Sequence, residues 1–349
     1  PAKEYVIFMK QIIDSATAEE LSRLLKTIHK AVITCHMAPD GDALGSSLAL
    51  CRVLHNLGIE AKVCVPDALP RNMLFLPGVD AILDYHRDRE TIDTLLSEAD
   101  AIFCLDYNEA RRTDAMADSL LKSQATKVMI DHHLHPDSFP EIIFSHPEES
   151  STSILIYRVC QAAGIADVID RDAAECIYTG MMTDTGNFSY SANNPDIYLV
   201  IADLIERGVD KDAIYRQVYY SNTLSRLKLN AFAILRKLEV FPAHHGALIT
   251  LTRGELNEFH YTKGDTEDLV NRPLTIPEIT WSVFMREEEG FVKVSTRSKG
   301  AFPVNEMCKK YFGGGGHLNA AGGEFRGTLP EAVDQLKNIM GEFDKYLDK

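Results

Sequence analysis

The sequence predicts an α/β protein of two domains, in which a mostly parallel sheet covered by helices is joined by a helical connector to a smaller α/β domain. Three observations predict it. A chain of 349 residues exceeds the size of one ordinary core. Short apolar runs alternate with segments of helical periodicity through the first part of the chain, the pattern of strands crossed over by helices. After a long helical stretch, strand-like runs resume.

The first runs lie at residues 31–35, 62–65, 101–105, 127–130 and 141–144, each bounded by turn residues, and segments such as residues 46–57 between them carry helical spacing. From about residue 150 to residue 240 the signals are helical. They end in residues 221–238, S-N-T-L-S-R-L-K-L-N-A-F-A-I-L-R-K-L, whose apolar residues recur at three- and four-residue spacing and which we read as the connector. Strand-like runs follow at residues 247–251, 278–285 and 291–296, with helical patterns at 303–311 and 329–346. The expected parts are therefore residues 1–220, 221–244 and 245–349. The sequence has no internal repeats or low-complexity tracts.

Hydrophobic residues make up 45% and charged residues 25%, which excludes disordered and fibrous classes. No apolar run approaches the roughly 20 residues that span a bilayer, so no membrane partner is expected. The opening P-A-K-E-Y lacks the basic flank and apolar stretch of a secretion signal. The seven cysteines are dispersed without a C-x-x-C pair, and Cys35, Cys64 and Cys104 fall inside strand-like runs, which fits reduced thiols in a cytoplasmic protein. A formal charge of −15 repels long polyanions, so long duplex nucleic acid is not an expected partner, whereas a small anion needs only a local positive spot.

Ligands of open α/β sheets collect beyond the carboxyl ends of the strands, and the polar residues there are distinctive. The first run empties into H-M-A-P-D-G-D-A-L-G-S-S, placing His36, Asp40 and Asp42 on what reads as a loop turned by Pro39, Gly41 and Gly45. The run at 101–105 ends at Asp106, and the run at 127–130 ends at Asp131, His132 and His133. A fourth segment, T-G-M-M-T-D-T-G-N-F, exposes Asp184 after a helical stretch. Any one of these is commonly a helix cap or a core histidine; their convergence on one sheet edge is the signal. Clustered carboxylates repel one another unless cations neutralise them. Mixed imidazole and carboxylate donors without cysteine suit two divalent ions, manganese first among them, and two such ions promote phosphoryl hydrolysis.

These four segments resemble, in order and spacing, the motifs of the DHH phosphoesterases. V-S-T-R-S at 294–298 and F-G-G-G-G-H-L-N-A-A-G at 312–322 resemble the substrate-binding motifs of the DHH-associated domain. The resemblance spans the whole chain and points to the nanoRNase/pAp-phosphatase branch, also called exopolyphosphatase-related. It implies a DHH domain and a DHH-associated domain with the active site in the cleft between them. It further implies that His36 and Asp40 hold one ion, that Asp42, His132 and Asp184 hold the other, and that Asp106 bridges the two. His133 would face substrate, and Asp131 would orient an imidazole. In the second domain, Arg297, Ser298, Gly314, Gly315, Gly316 and His317 are the implied substrate-binding residues. A glycine run alone is a flexible turn, but beside His317 and Arg297 it reads as an anion-binding loop whose N–H groups approach phosphate.

The implied activity is hydrolysis of short RNA or DNA oligonucleotides, or of the nucleotide pAp, to mononucleotides; a homodimer is compatible with the sequence. Three rivals remain. A pyrophosphatase or exopolyphosphatase needs no base recognition, against which the glycine-histidine motif argues. A cyclic-dinucleotide or pApA phosphodiesterase is separated poorly. A nucleotide-binding sensor would have lost metal ligands, and all six are present. Arg111 and Arg112 read equally well as positive charge near the cleft and as a solvated helix start.

Overall fold

The computed structural model describes residues 9–220 and 222–347, and the chain divides into two units between residues 221 and 222. The first unit runs α1 (Ser15–Leu25), β1 (Lys30–Thr34), α2 (Gly41–Asn56), β2 (Glu60–Val65), β3 (Leu83–Asp84), α3 (Tyr85–Glu98), β4 (Ala101–Leu105), α4 (Ala117–Lys122), β5 (Thr126–Asp131), β6 (Ile142–Ser145), α5 (Thr152–Ala162), α6 (Arg171–Asp184), α7 (Pro195–Glu206) and α8 (Lys211–Tyr219).

Its six strands are all parallel, in the order β3-β2-β1-β4-β5-β6. Parallel strands need both faces covered, and the sequence supplies this through nearly continuous apolar runs. Ile33, Phe103 and Ile130 join Leu44, Leu48, Leu155 and Ile177 from α2, α5 and α6 on one face. Val32, Ile102, Cys104 and Met129 meet Ile92, Leu96 and Leu120 from α3 and α4 on the other. The winding direction reverses between β1 and β4, so their carboxyl ends diverge into a crevice. Thr34 lies in register with Cys64 and Cys104, which brings the residues after β1 and β4 out at one level.

Helix α2 corrects the reading of residues 36–47 as a loop. It starts at Gly41, because the Asp40 carboxylate accepts the amides of Asp42 at 2.9 Å and Ala43 at 3.0 Å and so caps the helix. Gly45 is helical rather than a turn residue; its bare Cα lets α6 approach, with the Cys176 carbonyl oxygen 2.6 Å from where a β-carbon would sit.

The second unit runs α9 (Leu224–Phe232), a π-helical turn at Ala233–Lys237, β7 (Leu238–Phe241), β8 (Gly246–Leu251), α10 (Arg253–Glu258), β9 (Trp281–Glu287), β10 (Val292–Ser298), α11 (Val304–Tyr311), β11 (Gly315–His317), β12 (Ala320–Phe325) and α12 (Leu329–Phe343). Its sheet is mixed, in the order β11-β12-β10-β9-β8-β7, with only β8 and β9 parallel. The segment read as a connector contains β7, and Leu229 and Ala233 pack with Ile249, Leu251 and Phe284 in a core of this unit. The glycine run is likewise not a loop throughout, since Gly315–His317 form β11 against β12. No helix among the described residues is long and apolar enough to cross a membrane.

Candidate metal centre

His36 follows β1 and donates its Nδ1 proton to the Met37 carbonyl at 2.8 Å. A carbonyl can only accept, so this fixes the tautomer and leaves Nε2 as the basic nitrogen. That nitrogen lies 3.4 Å from Asp106 Oδ2 and 3.9 Å from Asp40 Oδ1. His132, following β5, repeats the device: Nδ1 donates to the Glu149 carbonyl at 3.3 Å. Its Nε2 then stands 3.5 Å from Asp106 Oδ1, 3.6 Å from Asp184 Oδ2 and 4.0 Å from Asp42 Oδ2. Asp106 therefore turns one carboxylate oxygen toward each imidazole. It does so from a left-handed backbone conformation, φ 62°, the kind of local strain that costs on the order of 1–3 kcal/mol and is held in place by its surroundings.

Three helix ends complete the centre. Asp42 sits in the first turn of α2 and Asp184 is the last residue of α6, inside the helix rather than on the exposed segment that the sequence suggested. The start of α5 supplies what sequence reasoning missed. The amides of Thr152 and Ser153 donate to the two Asp42 oxygens at 2.6 and 2.9 Å, and the Thr152 hydroxyl donates to Asp106 Oδ1 at 3.0 Å. The run S-S-T-S at 150–153 signals a helix cap, and Ser151 does cap α5; nothing local reveals which carboxylate the free amides would meet. Asp131 is fully buried and accepts His133 Nδ1 at 2.7 Å, while that nitrogen also lies 3.8 Å from Asp106 Oδ1.

Electrostatics show how costly the bare cluster is. Burial, then the Asp106 charge, pushes the Asp42 carboxyl up to about 7. Burial, then Asp42 and Asp106, pushes Asp184 up to about 9. Burial opposes charge on His36, yet the hydrogen bond and charge of Asp106 raise it to about 9. Burial likewise opposes ionisation of Asp106, but His36, His132 and His133 hold it below the usual carboxylate range. Protons thus stand where divalent cations would relieve the same repulsion. His36, Asp40 and Asp106 form one group of donor atoms lying within 4.8 Å of one another, Asp42, His132 and Asp184 a second, and Asp106, His132 and His133 a third. Nitrogen and carboxylate donors of this kind fit a divalent ion of the manganese-to-zinc series.

The residues of the second unit have more mixed surroundings. Arg297 lies half-buried on β10 and donates to the Thr296 carbonyl at 2.9 Å. The Ser298 hydroxyl donates to the Phe302 carbonyl at 2.6 Å and accepts from the Asn319 amide group at 2.8 Å. Its backbone amide donates to the Asn319 carbonyl at 3.0 Å. A β-carbon on Gly314 would collide with the Gly322 carbonyl oxygen, and one on Gly316 would sit 2.5 Å from the Ala320 carbonyl oxygen; only Gly315 faces open space. Close backbone packing thus accounts for two glycines that the sequence reading assigned to an anion loop. His317 pairs in register with Ala320. In the first unit, Arg111 is exposed and paired with Glu109, and the Arg112 carbonyl accepts the Met37 amide at 2.7 Å, steadying the His36 turn.

A doubly wound parallel sheet with imidazoles and carboxylates clustered at its switch point places this chain among α/β proteins with a candidate metal-binding centre. The chain belongs to the DHH family: the model of the DHH family N-terminal domain matches residues 30–181, and that of the DHHA1 domain matches residues 247–345. It is 30% identical to the bifunctional oligoribonuclease and PAP phosphatase NrnA of Thermus thermophilus, across 93% of this chain and 94% of that protein. The protein of the same name from Bacillus subtilis is 27% identical, across 87% and 91%. Among solved structures, an exopolyphosphatase-related protein from Bacteroides fragilis is 43% identical and superposes with a TM-score of 0.96, covering 98% of this chain and 100% of that one.

Proposed function

We propose that this protein is a metal-dependent phosphoesterase that hydrolyses short oligonucleotides and pAp to mononucleotides, using two divalent ions, manganese first among them. The observation that carries the reading is the Asp106 carboxylate, whose two oxygens face two separate imidazole-bearing donor groups. The names of the relatives, oligoribonuclease and PAP phosphatase, support the choice of substrate. Bound there, the ions would supply Lewis acidity to the phosphoryl group and an activated water.

The protein's own groups do the rest. His36 and His132 present Nε2 because their Nδ1 protons are committed to carbonyls. Asp131 orients the ring of His133 toward substrate. Arg297, Gly315 and His317 would take the phosphate and base of the substrate, Arg297 through charge-assisted hydrogen bonds. Ser298, with amide and hydroxyl both engaged, would act by fixing the end of β10. A protein of formal charge −15 favours short substrates in a cytoplasmic setting.

The test is a panel of pAp, dinucleotides, cyclic dinucleotides, longer RNA and pyrophosphate, each offered to the purified protein with manganese. The reading expects pAp and dinucleotides to give the highest kcat/KM. A preference for pyrophosphate or for long strands overturns it.

A further inference from the structure

Residues 149–153 hold three members of the donor cluster at once. The Glu149 carbonyl orients His132, the Thr152 and Ser153 amides grip Asp42, and the Thr152 hydroxyl reaches Asp106. A buried ion cluster holds that short segment. Arg158 Nη2 lies 3.1 Å from Glu149 Oε1 and 3.0 Å from Asp196 Oδ2, with the Arg158 and Glu149 side chains only 3% and 2% exposed. Arg158 Nη1 also donates to the Lys10 carbonyl at 3.0 Å, and the Lys10 amide donates to Asp196 Oδ2 at 3.0 Å. One guanidinium thus ties the body of α5, a residue two positions before its cap, the first turn of α7 and the segment leading into α1.

We propose that Arg158 is a positioning residue for the metal centre, acting through Glu149 to fix the backbone that orients His132 and holds Asp42. The inference rests on the metal-dependent reading above. Stability alone does not account for the arrangement, since a buried ion pair is commonly no more stabilising than apolar side chains of the same volume. Placement does. The Glu149 carboxylate is anchored to α5, and the Glu149 carbonyl and the α5 amides are the groups that address the ligands. If Glu149 is released, His132 loses the acceptor that sets its tautomer, and outer partners of this kind are typically worth about ten- to a hundredfold in metal affinity.

The experiment compares the parent protein with Arg158→Met, with Arg158→Lys, and with a neutral triple variant, Arg158→Met, Glu149→Gln and Asp196→Asn. Calorimetric manganese titration of metal-free protein is set beside thermal melting in chelator. Arg158→Met is expected to weaken manganese binding by about ten- to a hundredfold and to melt lower, because it strands buried carboxylates. The triple variant, with no stranded charge, regains melting temperature but not manganese affinity. Arg158→Lys regains part of the affinity, and the control Lys122→Met, which removes an exposed pair with Asp118 on α4, changes neither. With manganese saturating, the affected variants lose kcat on pAp while KM holds. Recovery of parental manganese affinity by the triple variant overturns the proposal, because Arg158 would then act through stability alone. A parent protein that takes up no manganese overturns the underlying reading, and the positioning role falls with it.

Discussion

Replacing Gly45 with alanine should impair the metal centre without touching a ligand. The new β-carbon would stand 2.6 Å from the Cys176 carbonyl oxygen, 2.9 Å from the Gly180 nitrogen and 3.0 Å from the Gly180 Cα. All three are backbone atoms of α6 and cannot swing aside. Ordinary contact begins near 3.4 Å, so the helices must part by about 0.8 Å. α2 carries Asp42 in its first turn and α6 ends at Asp184, and these carboxylates belong to one donor group. Metal–ligand distances tolerate only roughly 0.2 Å, so the displacement should cost about ten- to a hundredfold in manganese affinity. Misplacement on this scale should cost about a hundredfold in kcat/KM on pAp. Overpacking should also cost about 1–3 kcal/mol, each kcal/mol lowering the melting temperature by about 2–4 °C for a domain of this size. Manganese calorimetry, melting and pAp hydrolysis read the three effects. Gly341→Ala, on α12 with nothing within 4 Å, is the control: it should keep manganese affinity and hydrolysis and melt no lower, since an unobstructed alanine favours a helix over glycine by roughly 0.5–1 kcal/mol. A Gly45→Ala protein that melts lower yet keeps parental manganese affinity and kcat/KM would refute the claim that α2–α6 spacing sets the donor geometry.

Three further outcomes are expected. Asp106→Ala should nearly abolish turnover with manganese supplied, and parental activity would sink the two-ion assignment. Asp42, Asp184 and His36 keep protons in the folded metal-free protein that the unfolded chain releases, with folded values near 7, 9 and 9; the stability they give is complete at low pH and lost as pH rises through those values. Asp106 has the opposite sign and matters only as pH falls below the usual carboxylate range. In chelator, melting temperature should therefore fall between about pH 5.5 and pH 8.5, and the increase on adding manganese should be larger at the higher pH; an increment that shrinks with pH contradicts this. Arg297→Ala and His317→Ala should keep manganese binding and lose about ten- to a hundredfold in kcat/KM, as for a hydrogen bond to a charged group; loss of a metal site in either variant refutes the assignment.

The parallel sheet and the polar residues at its strand ends were legible because buried strands leave apolar runs and their exits leave charged ones. The start of α2 was not, because Asp-Gly is an ordinary turn signal and only the Asp40 cap turns it into a helix start. β3, with two residues, and β7, with four, are too short to show periodicity. The grip of α5 on Asp42 joins residues 110 positions apart, a pairing that no local pattern encodes. At Gly314 and Gly316 the same residue type serves an open phosphate cradle or a crowded backbone crossing, and only the position of β12 decides between them.

The spread of the donors along the chain bears on how the protein is made. His36, Asp40 and Asp106 can come together once β1 and β4 have left the ribosome, whereas Asp42, His132 and Asp184 must wait for the end of α6. The residues of these two donor groups therefore leave the ribosome at different times during synthesis. Because a domain generally folds as a unit, both groups are expected to assemble only when the first unit is almost fully translated, however early their first residues emerge.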